Sequence, residues 1–149
     1  MIKKNITFLI LIFFLSSCGF SPVYLQNTDT NFSIEQVDFT GDRELNNFLK
    51  TKLDQYKNKK IDNKIFIKAK SEFNKIILSK DGTGEITNYQ LEAEVVFTVK
   101  SSNKVIIINE KKIMESISDK FDEIEKEKSI KKSFASSITN KLISELIID

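Results

Sequence analysis

The chain has 149 residues, with 23 basic and 21 acidic side chains, one cysteine and no histidine. This near balance of charge argues against bulk electrostatic binding of nucleic acid or of an anionic membrane. A single cysteine excludes an internal disulfide, and no metal-ligand spacing appears. Catalysis would have to rest on carboxylates, serine or lysine, and no triad appears, so we predict that the protein is not an enzyme.

The first seventeen residues have the order of charge and polarity of a secretory signal peptide. Lys3 and Lys4 precede a run of ten residues, Ile6–Leu15, in which only Thr7 is not strongly apolar. Ten helical residues reach about 15 Å, whereas a bilayer core needs about 20 residues. Residues 1–17 are therefore predicted to be cleaved rather than to span a membrane.

The cleavage region ends in Leu15-Ser16-Ser17-Cys18, which resembles a bacterial lipobox. Small residues leave the backbone accessible there, and a thiolate attacks a lipid donor far better than a hydroxyl does. We predict that Cys18 is the lipidation site and the mature N-terminus, carrying a covalent diacylglycerol and an N-acyl chain such as palmitate. An incidental or buried cysteine is the alternative. Losing residues 1–17 leaves 21 basic and 21 acidic residues.

Residues 18–31 are predicted to form a lipidated polar linker, and residues 32–149 a single folded domain. Gly19 follows the cysteine, and bacterial lipoproteins that lack an acidic residue at this place tend to move to the outer membrane. We therefore expect the protein at the cell outer membrane, lipid-anchored on the periplasmic side, with no other cofactor.

The folded part begins with alternation typical of a strand, from Phe32 to Phe39, with a bulge near Gln36. Asp42 or Thr40 is placed to cap a helix that follows. The apolar face of this helix is spaced at three, four, eight and eleven residues: Leu45, Phe48, Leu49, Leu53 and Tyr56. The basic run 57–60 reads as the solvated end of this helix rather than as a nucleic-acid patch.

Three longer strands are predicted next, at about 64–78, 85–100 and 104–118, joined by short turn-rich segments into an antiparallel meander. In the middle strand one face is apolar and the other polar. The polar face carries Asn88, Gln90, Glu92, Glu94 and Thr98. The segment Gly82-Thr83-Gly84 is interpreted as a hairpin turn, because a phosphate loop needs a further glycine and a helix just after it.

The last predicted helix covers Phe121 to Asp149, and its charged first half is expected to be exposed. Its apolar stripe is Ile124, Ile130, Phe134, Ile138, Leu142 and Leu146. The predicted fold is α+β: a two-layer sandwich with two helices on one face of a four-stranded, mostly antiparallel sheet, in the order β-α-β-β-β-α. Segments 105–108 and 142–148 are expected to be its most buried parts.

Two groups of residues in this order of elements resemble the LPS-assembly lipoprotein LptE family in its alphaproteobacterial-type members. The start at Cys18–Tyr24, Cys-Gly-Phe-Ser-Pro-Val-Tyr, is similar to Cys-Gly-Phe-x-Pro-Leu-Tyr, with Val23 where leucine is commoner. The segment 81–83 followed by 89–91 resembles the central hairpin of that family. The charged and then amphipathic last helix fits as well.

The resemblance implies two helices on a four-stranded sheet, the fold that the periodicity predicts independently. It also implies a role without catalysis. Members of the family sit as a plug inside the outer-membrane β-barrel LptD, help it to assemble, and support lipopolysaccharide transport to the outer leaflet. The expected partner is LptD, with lipopolysaccharide as a further candidate ligand to which no residue is assigned. A freestanding periplasmic scaffold or ligand-binding lipoprotein is the alternative.

Replacing Cys18 by alanine tests the lipobox. We expect Cys18→Ala to give a soluble or uncleaved product, because burial of acyl chains, at about 0.8 kcal/mol per CH₂, supplies the attachment. Membrane fractionation and intact-mass measurement report both properties. A processed Cys18→Ala chain that still fractionates with the outer membrane contradicts the assignment.

Overall fold

The structure, a computed structural model, describes residues 30–58 and 60–148. The elements in chain order are β1 (Ser33–Gly41), α1 (Arg43–Leu53), β2 (Lys64–Lys80), β3 (Ile86–Val99), β4 (Val105–Glu115) and α2 (Lys120–Ile147), with a 3-10 turn at Asp54–Tyr56 after α1. The predicted α+β fold and its order of elements are confirmed.

The four strands form one sheet in the order β1-β2-β3-β4. β2, β3 and β4 pair antiparallel, as the short connections predicted, whereas β1 lies parallel to β2. The parallel pair requires a crossover, which α1 supplies. The register between β1 and β2 shifts between Ile34 and Gln36, which confirms the predicted bulge.

Side-chain caps fix where both helices begin. Asp42 caps α1, since its Oδ1 accepts a hydrogen bond from the Leu45 backbone N–H at 2.7 Å. Asp119 caps α2 by accepting from the N–H groups of Phe121 and Asp122. Each carboxylate satisfies helix N–H groups that have no partner within the helix, and its charge suits the positive end of the helix dipole.

Both helices cover the same face of the sheet. α2 buries a stripe that includes Ile130, Phe134, Ile138 and Leu142, and α1 buries Leu45, Leu49 and Leu53. The sheet residues of this core alternate along the strands: Ile67, Ala69, Leu91, Ala93, Val95, Phe97, Ile106 and Ile108. With 28 residues, α2 is about 42 Å long. It therefore runs along nearly the whole of β3, whose 14 residues span about 46 Å.

The prediction that segments 105–108 and 142–148 are the most buried is wrong in part. Ile106 and Ile108 face the helices, but Val105 and Ile107 are 56% and 59% exposed because they point to the face opposite α1 and α2. At the other segment Leu142 is fully buried, while Ile147 and Ile148 are exposed at the end of α2. Residues 105–108 are all apolar, so their sequence does not show the alternation between the two faces that the sheet imposes.

Ile124 was also assigned to the wrong side of α2. It is 61% exposed, whereas its neighbour Glu123 is 4% exposed and faces the sheet. Position 123 precedes Ile130 by seven residues and so lies on the same helix face. The predicted exposure of the charged first half therefore holds for Asp122, Glu125, Lys126 and Lys128 but fails at Glu123.

β1 leaves the sheet at Gly41, where the backbone has φ +98°. A Cβ atom at this position would lie 1.8 Å from the Ser71 carbonyl oxygen of β2. The next residue, Asp42, donates its N–H to that same oxygen at 3.2 Å. Only glycine allows both the left-handed conformation and this approach, which lets the chain turn from strand to helix within one residue.

We expect Gly41→Ala to destabilise the fold by about 2 kcal/mol or more, because strain and a backbone clash coincide there. Urea unfolding followed by circular dichroism measures this loss. Gly82→Ala is the matched control, since a Cβ at Gly82 meets nothing within 4 Å. Equal midpoints for the two variants would refute this role for Gly41.

Candidate interaction surface

The face of the sheet opposite the helices, here called the open face, is the largest candidate surface. Its middle row is the predicted polar row of β3, from Asn88 to Thr98, in which every second side chain points away from the core. Flanking strands extend it: Glu92 lies between Asn74 of β2 and Lys111 of β4, and Val96 lies beside Ile107. The alternation predicted for β3 is thus confirmed.

Ion pairs link the strands across the open face. Lys111 Nζ lies 2.8 Å from Glu92 Oε1, and Gln90 donates to the same carboxylate at 2.6 Å. These hydrogen bonds, from Lys111 first and then Gln90, lower the pKa of Glu92. Lys100 donates to Asp38 at 2.7 Å and, with Gln36, lowers the pKa of that carboxyl. Exposed pairs contribute little to stability. They do order the charged side chains of this face, and their opposite charges keep its net charge close to zero.

The end of the sheet where β2 ends and β3 begins is here called the far end. It carries the β2–β3 hairpin. Asp81 Oδ1 accepts hydrogen bonds from the hydroxyl and N–H of Thr83 and from the N–H of Glu85, at 2.7 to 3.0 Å. These bonds, the Thr83 hydroxyl first, lower the pKa of Asp81. Gly84 takes φ +89°. Segment 82–84 is therefore a side-chain-stabilised turn, as predicted, and not a phosphate loop.

An open cleft of about 1000 Å³ lies at the far end, between the hairpin, the end of β4 and the start of α2. Most of its lining side chains are polar: Lys80, Glu85, Thr87, Asn88, Glu115 and Lys120. The Ser79 and Thr87 hydroxyls lie 2.6 Å apart, and the Asn88 amide donates to Ser79. This cleft could hold a polar group, and it contains lysines and carboxylates in mixture rather than one sign of charge.

An ion pair with one buried partner, Glu123, joins the sheet to α2 near this end. Lys75 Nζ donates to Glu123 Oε1 at 2.8 Å and to Glu127 Oε2 at 3.2 Å, and lies 4.2 Å from the Tyr89 ring centre. The Lys75 hydrogen bond outweighs the effect of burial and lowers the pKa of Glu123. Burial depresses the pKa of Lys75, but the two carboxylates outweigh it, so that pKa is raised.

A second lysine, which is buried, continues this chain of charges to α1. Lys131 Nζ lies 3.0 Å from Glu44, 3.6 Å from Glu127 and 3.8 Å from Asp42, and 4.1 Å from the Phe73 ring centre. Its side chain is 9% exposed. Sequence reasoning missed this network, although the seven-residue spacing of Glu123 and Ile130 could have indicated its first member. Its bonds orient the two helices on the sheet.

Cys18, the predicted lipidation site, lies outside the described residues. Within residues 30–58 and 60–148, no group of three or more histidine, cysteine, aspartate or glutamate side chains is arranged to hold a metal ion. In the same part of the chain, no helix is long and apolar enough to cross a membrane.

No protein-family model matches the chain, and a comparison with curated proteins finds no match. Solved structures do share the fold. The crystal structure of the rare lipoprotein B from Shewanella oneidensis matches with a TM-score of 0.54 at 18% identity, over 75% of this chain and 96% of that one. The solution structure of the uncharacterized lipoprotein B from Nitrosomonas europaea matches with a TM-score of 0.53 at 14% identity, over 78% and 85%.

The Lys75–Glu123 pair is expected to stabilise the fold more than any pair on the open face. Lys75→Met should cost about 1–3 kcal/mol, because it leaves a buried carboxylate without its donor. Chemical unfolding at neutral pH measures the loss. Lys111→Met is the matched control, and its midpoint should stay near that of the wild type, since Lys111 is exposed.

The cost of Lys75→Met should also depend on pH. Because the folded-state pKa of Glu123 is lowered, the pair stabilises the protein above the ordinary glutamate value of 4.5. Its contribution is lost as the pH falls through the folded-state value. The difference between wild type and variant should therefore shrink in acid. A difference that is constant or grows in acid would contradict this assignment.

Proposed function

We propose that this protein is a lipid-anchored outer-membrane lipoprotein that plugs the β-barrel LptD, helps it to assemble, and so supports lipopolysaccharide transport to the outer leaflet. It acts through its fit to the barrel wall and not through catalysis. Covalent lipid on Cys18 holds it on the periplasmic side of the membrane.

Two independent lines support the lipoprotein part. The sequence places Cys18 after a signal-like leader and a pair of small residues. The fold is shared with proteins described as rare lipoprotein B and uncharacterized lipoprotein B. The LptD part rests on the resemblance of segments 18–24, 81–83 and 89–91 to the LptE family.

The observation that carries the plug role is the open face. A transmembrane barrel has a polar lumen, so an occupant needs a broad polar surface that is not needed for its own core. Here both helices lie on one side, which leaves the other side of three long strands for contact. Its paired charges, such as Glu92 with Lys111, match a mixed polar wall without a large net charge.

The far-end cleft favours the second candidate, a freestanding periplasmic scaffold or ligand-binding lipoprotein. A volume of about 1000 Å³ is large enough for a small ligand. That function predicts a stable monomer in detergent that retains a small ligand or a cell-wall fragment and has no barrel partner.

Affinity isolation separates the two functions. A tagged chain extracted from outer membranes in mild detergent should bring down a large β-barrel protein, identified by mass spectrometry. Recovery of the chain alone, under conditions that preserve other barrel complexes, would count against the plug role.

Matched variants locate the contact. Glu94→Arg with Asn109→Arg adds charge to the exposed middle of the open face, where these residues are neighbours. Glu125→Arg with Asn140→Arg makes the same change of net charge at exposed positions of α2. We expect the first pair to lower barrel recovery by about tenfold, equivalent to about 1.4 kcal/mol, and the second to leave it unchanged. The reverse result would place the contact on the helices.

A further inference from the structure

One end of the fold, here called the basal end, gathers the connection 57–64, the turn 100–104 and the end of α2 at 145–148. Hydrogen bonds join these pieces to one another and to the strands. Ser33 N–H donates to Asn63 at 2.8 Å, and Lys100 N–H donates to Phe66 at 2.8 Å. Lys104 Nζ donates to the Glu145 carbonyl at 3.0 Å. The described chain enters at this end, because Thr30 lies three residues before β1.

The two ends of the sheet differ in charge. Among the described residues, the three pieces of the basal end carry five lysines and two acids: Lys57, Lys60, Lys64, Lys100, Lys104, Asp62 and Glu145. The segments 80–85 and 115–120 at the far end carry two lysines and four acids: Lys80, Lys120, Asp81, Glu85, Glu115 and Asp119. The whole chain is close to neutral, so this asymmetry is a property of the fold.

Ion pairs hold some of the basal lysines without burying them. Lys57 lies 3.4 Å from Asp54, Lys64 lies 3.7 Å from Glu35, and each of these four side chains is 43–52% exposed. Exposed pairs of this kind are worth little. The lysines can therefore exchange a carboxylate for another anion at small cost.

Exposed apolar side chains accompany these lysines. Ile147 and Ile148 are 61% and 79% exposed, and Val105, next to Lys104, is 56% exposed. Single exposed apolar residues are ordinary on a protein surface. Here they lie at the cationic end, and the bond between Lys104 and Glu145 keeps Val105 close to the last turn of α2.

We infer that the basal end docks on an anionic lipid surface, with the lysines at the headgroups and Ile148, Ile147 and Val105 in the interfacial layer. Basic residues with adjacent apolar side chains form the chemistry that such a surface binds. The inference rests on the proposed lipid anchor, which decides which end of the fold faces the membrane. Eleven residues separate Cys18 from Thr30, a tether of at most about 40 Å. It brings the basal end to the membrane before the far end, which lies about 45 Å away along β3.

A site-specific fluorophore tests this contact. In the lipidated chain the single native cysteine is consumed, so Ile148→Cys supplies a unique thiol for an environment-sensitive dye. On vesicles of phosphatidylethanolamine and phosphatidylglycerol we expect a several-fold rise in fluorescence and quenching by lipid-borne nitroxides. Gly82→Cys at the far end is the control. Its dye should keep the fluorescence that it has in buffer, since the surroundings of Gly82 are open.

Charge variants test the lysines. Lys57→Glu with Lys60→Glu should shift the equilibrium from docked to free by on the order of thirtyfold. Lys126→Glu with Lys132→Glu makes the same change of charge at exposed positions of α2 and should have no effect. Phosphatidylcholine vesicles should give a weaker dye signal than anionic ones.

The outcomes separate docking from anchoring. If the chain floats with vesicles but the dye at position 148 stays in water, the anchor holds and the docking inference is wrong. If the chain purified from cells carries no lipid on Cys18 but its dye still responds to anionic vesicles, the anchor is wrong and docking holds. A dye response that appears only with a protein partner, and not on pure lipid, would overturn the inference in favour of a protein contact.

Discussion

The architecture depends on burying a single face of the sheet. α2 places Ile130, Phe134, Ile138 and Leu142 along that face, and each buried side chain of this kind contributes about 1.5–3 kcal/mol. The helix and the sheet are matched in length, so the burial continues almost from end to end. α1 fills the remaining width over β1 and β2, and within residues 30–58 and 60–148 no helix covers the other face.

That one-sidedness has consequences for function. The open face keeps its polar rows because nothing requires them in the core. β2 continues beyond Ser71, the last residue that pairs with β1. The far half of the sheet therefore has three strands, and the first half of α2 packs on it. A protein built in this way has a stable body, a long face that mixes polar rows with exposed apolar side chains, and two chemically different ends, features suited to fitting between other molecules.

Buried charge completes the packing where apolar side chains are scarce. Over the far half of the sheet, α2 presents Glu123 and Glu127 rather than leucines, and Lys75 and Lys131 join them to β2 and α1. A buried carboxylate without such a partner would be strongly unfavourable. The network therefore constrains how the helices and the sheet can sit on one another, a specificity that hydrophobic contact alone would not provide.

The sequence by itself determined every element, the α+β class, the antiparallel meander, the bulge after Ile34 and the polar row from Asn88 to Thr98. These follow from local periodicity, capping and short connections, which need no knowledge of the rest of the chain. The alternation of β3 was easiest to read, because from Asn88 to Thr98 its polar and apolar residues take turns everywhere except at Val96.

Only the tertiary structure decided which neighbours the elements have. The parallel pairing of β1 with β2 is a long-range choice that no local pattern encodes. The exposure of Val105, Ile107 and Ile148 and the burial of Glu123 depend on where the helices stop and what lies opposite them. A uniformly apolar segment does not show which of its side chains face the core. A glutamate in a charged run is expected to be solvated, and its burial is understood only once Lys75, from a distant strand, is seen to lie beside it.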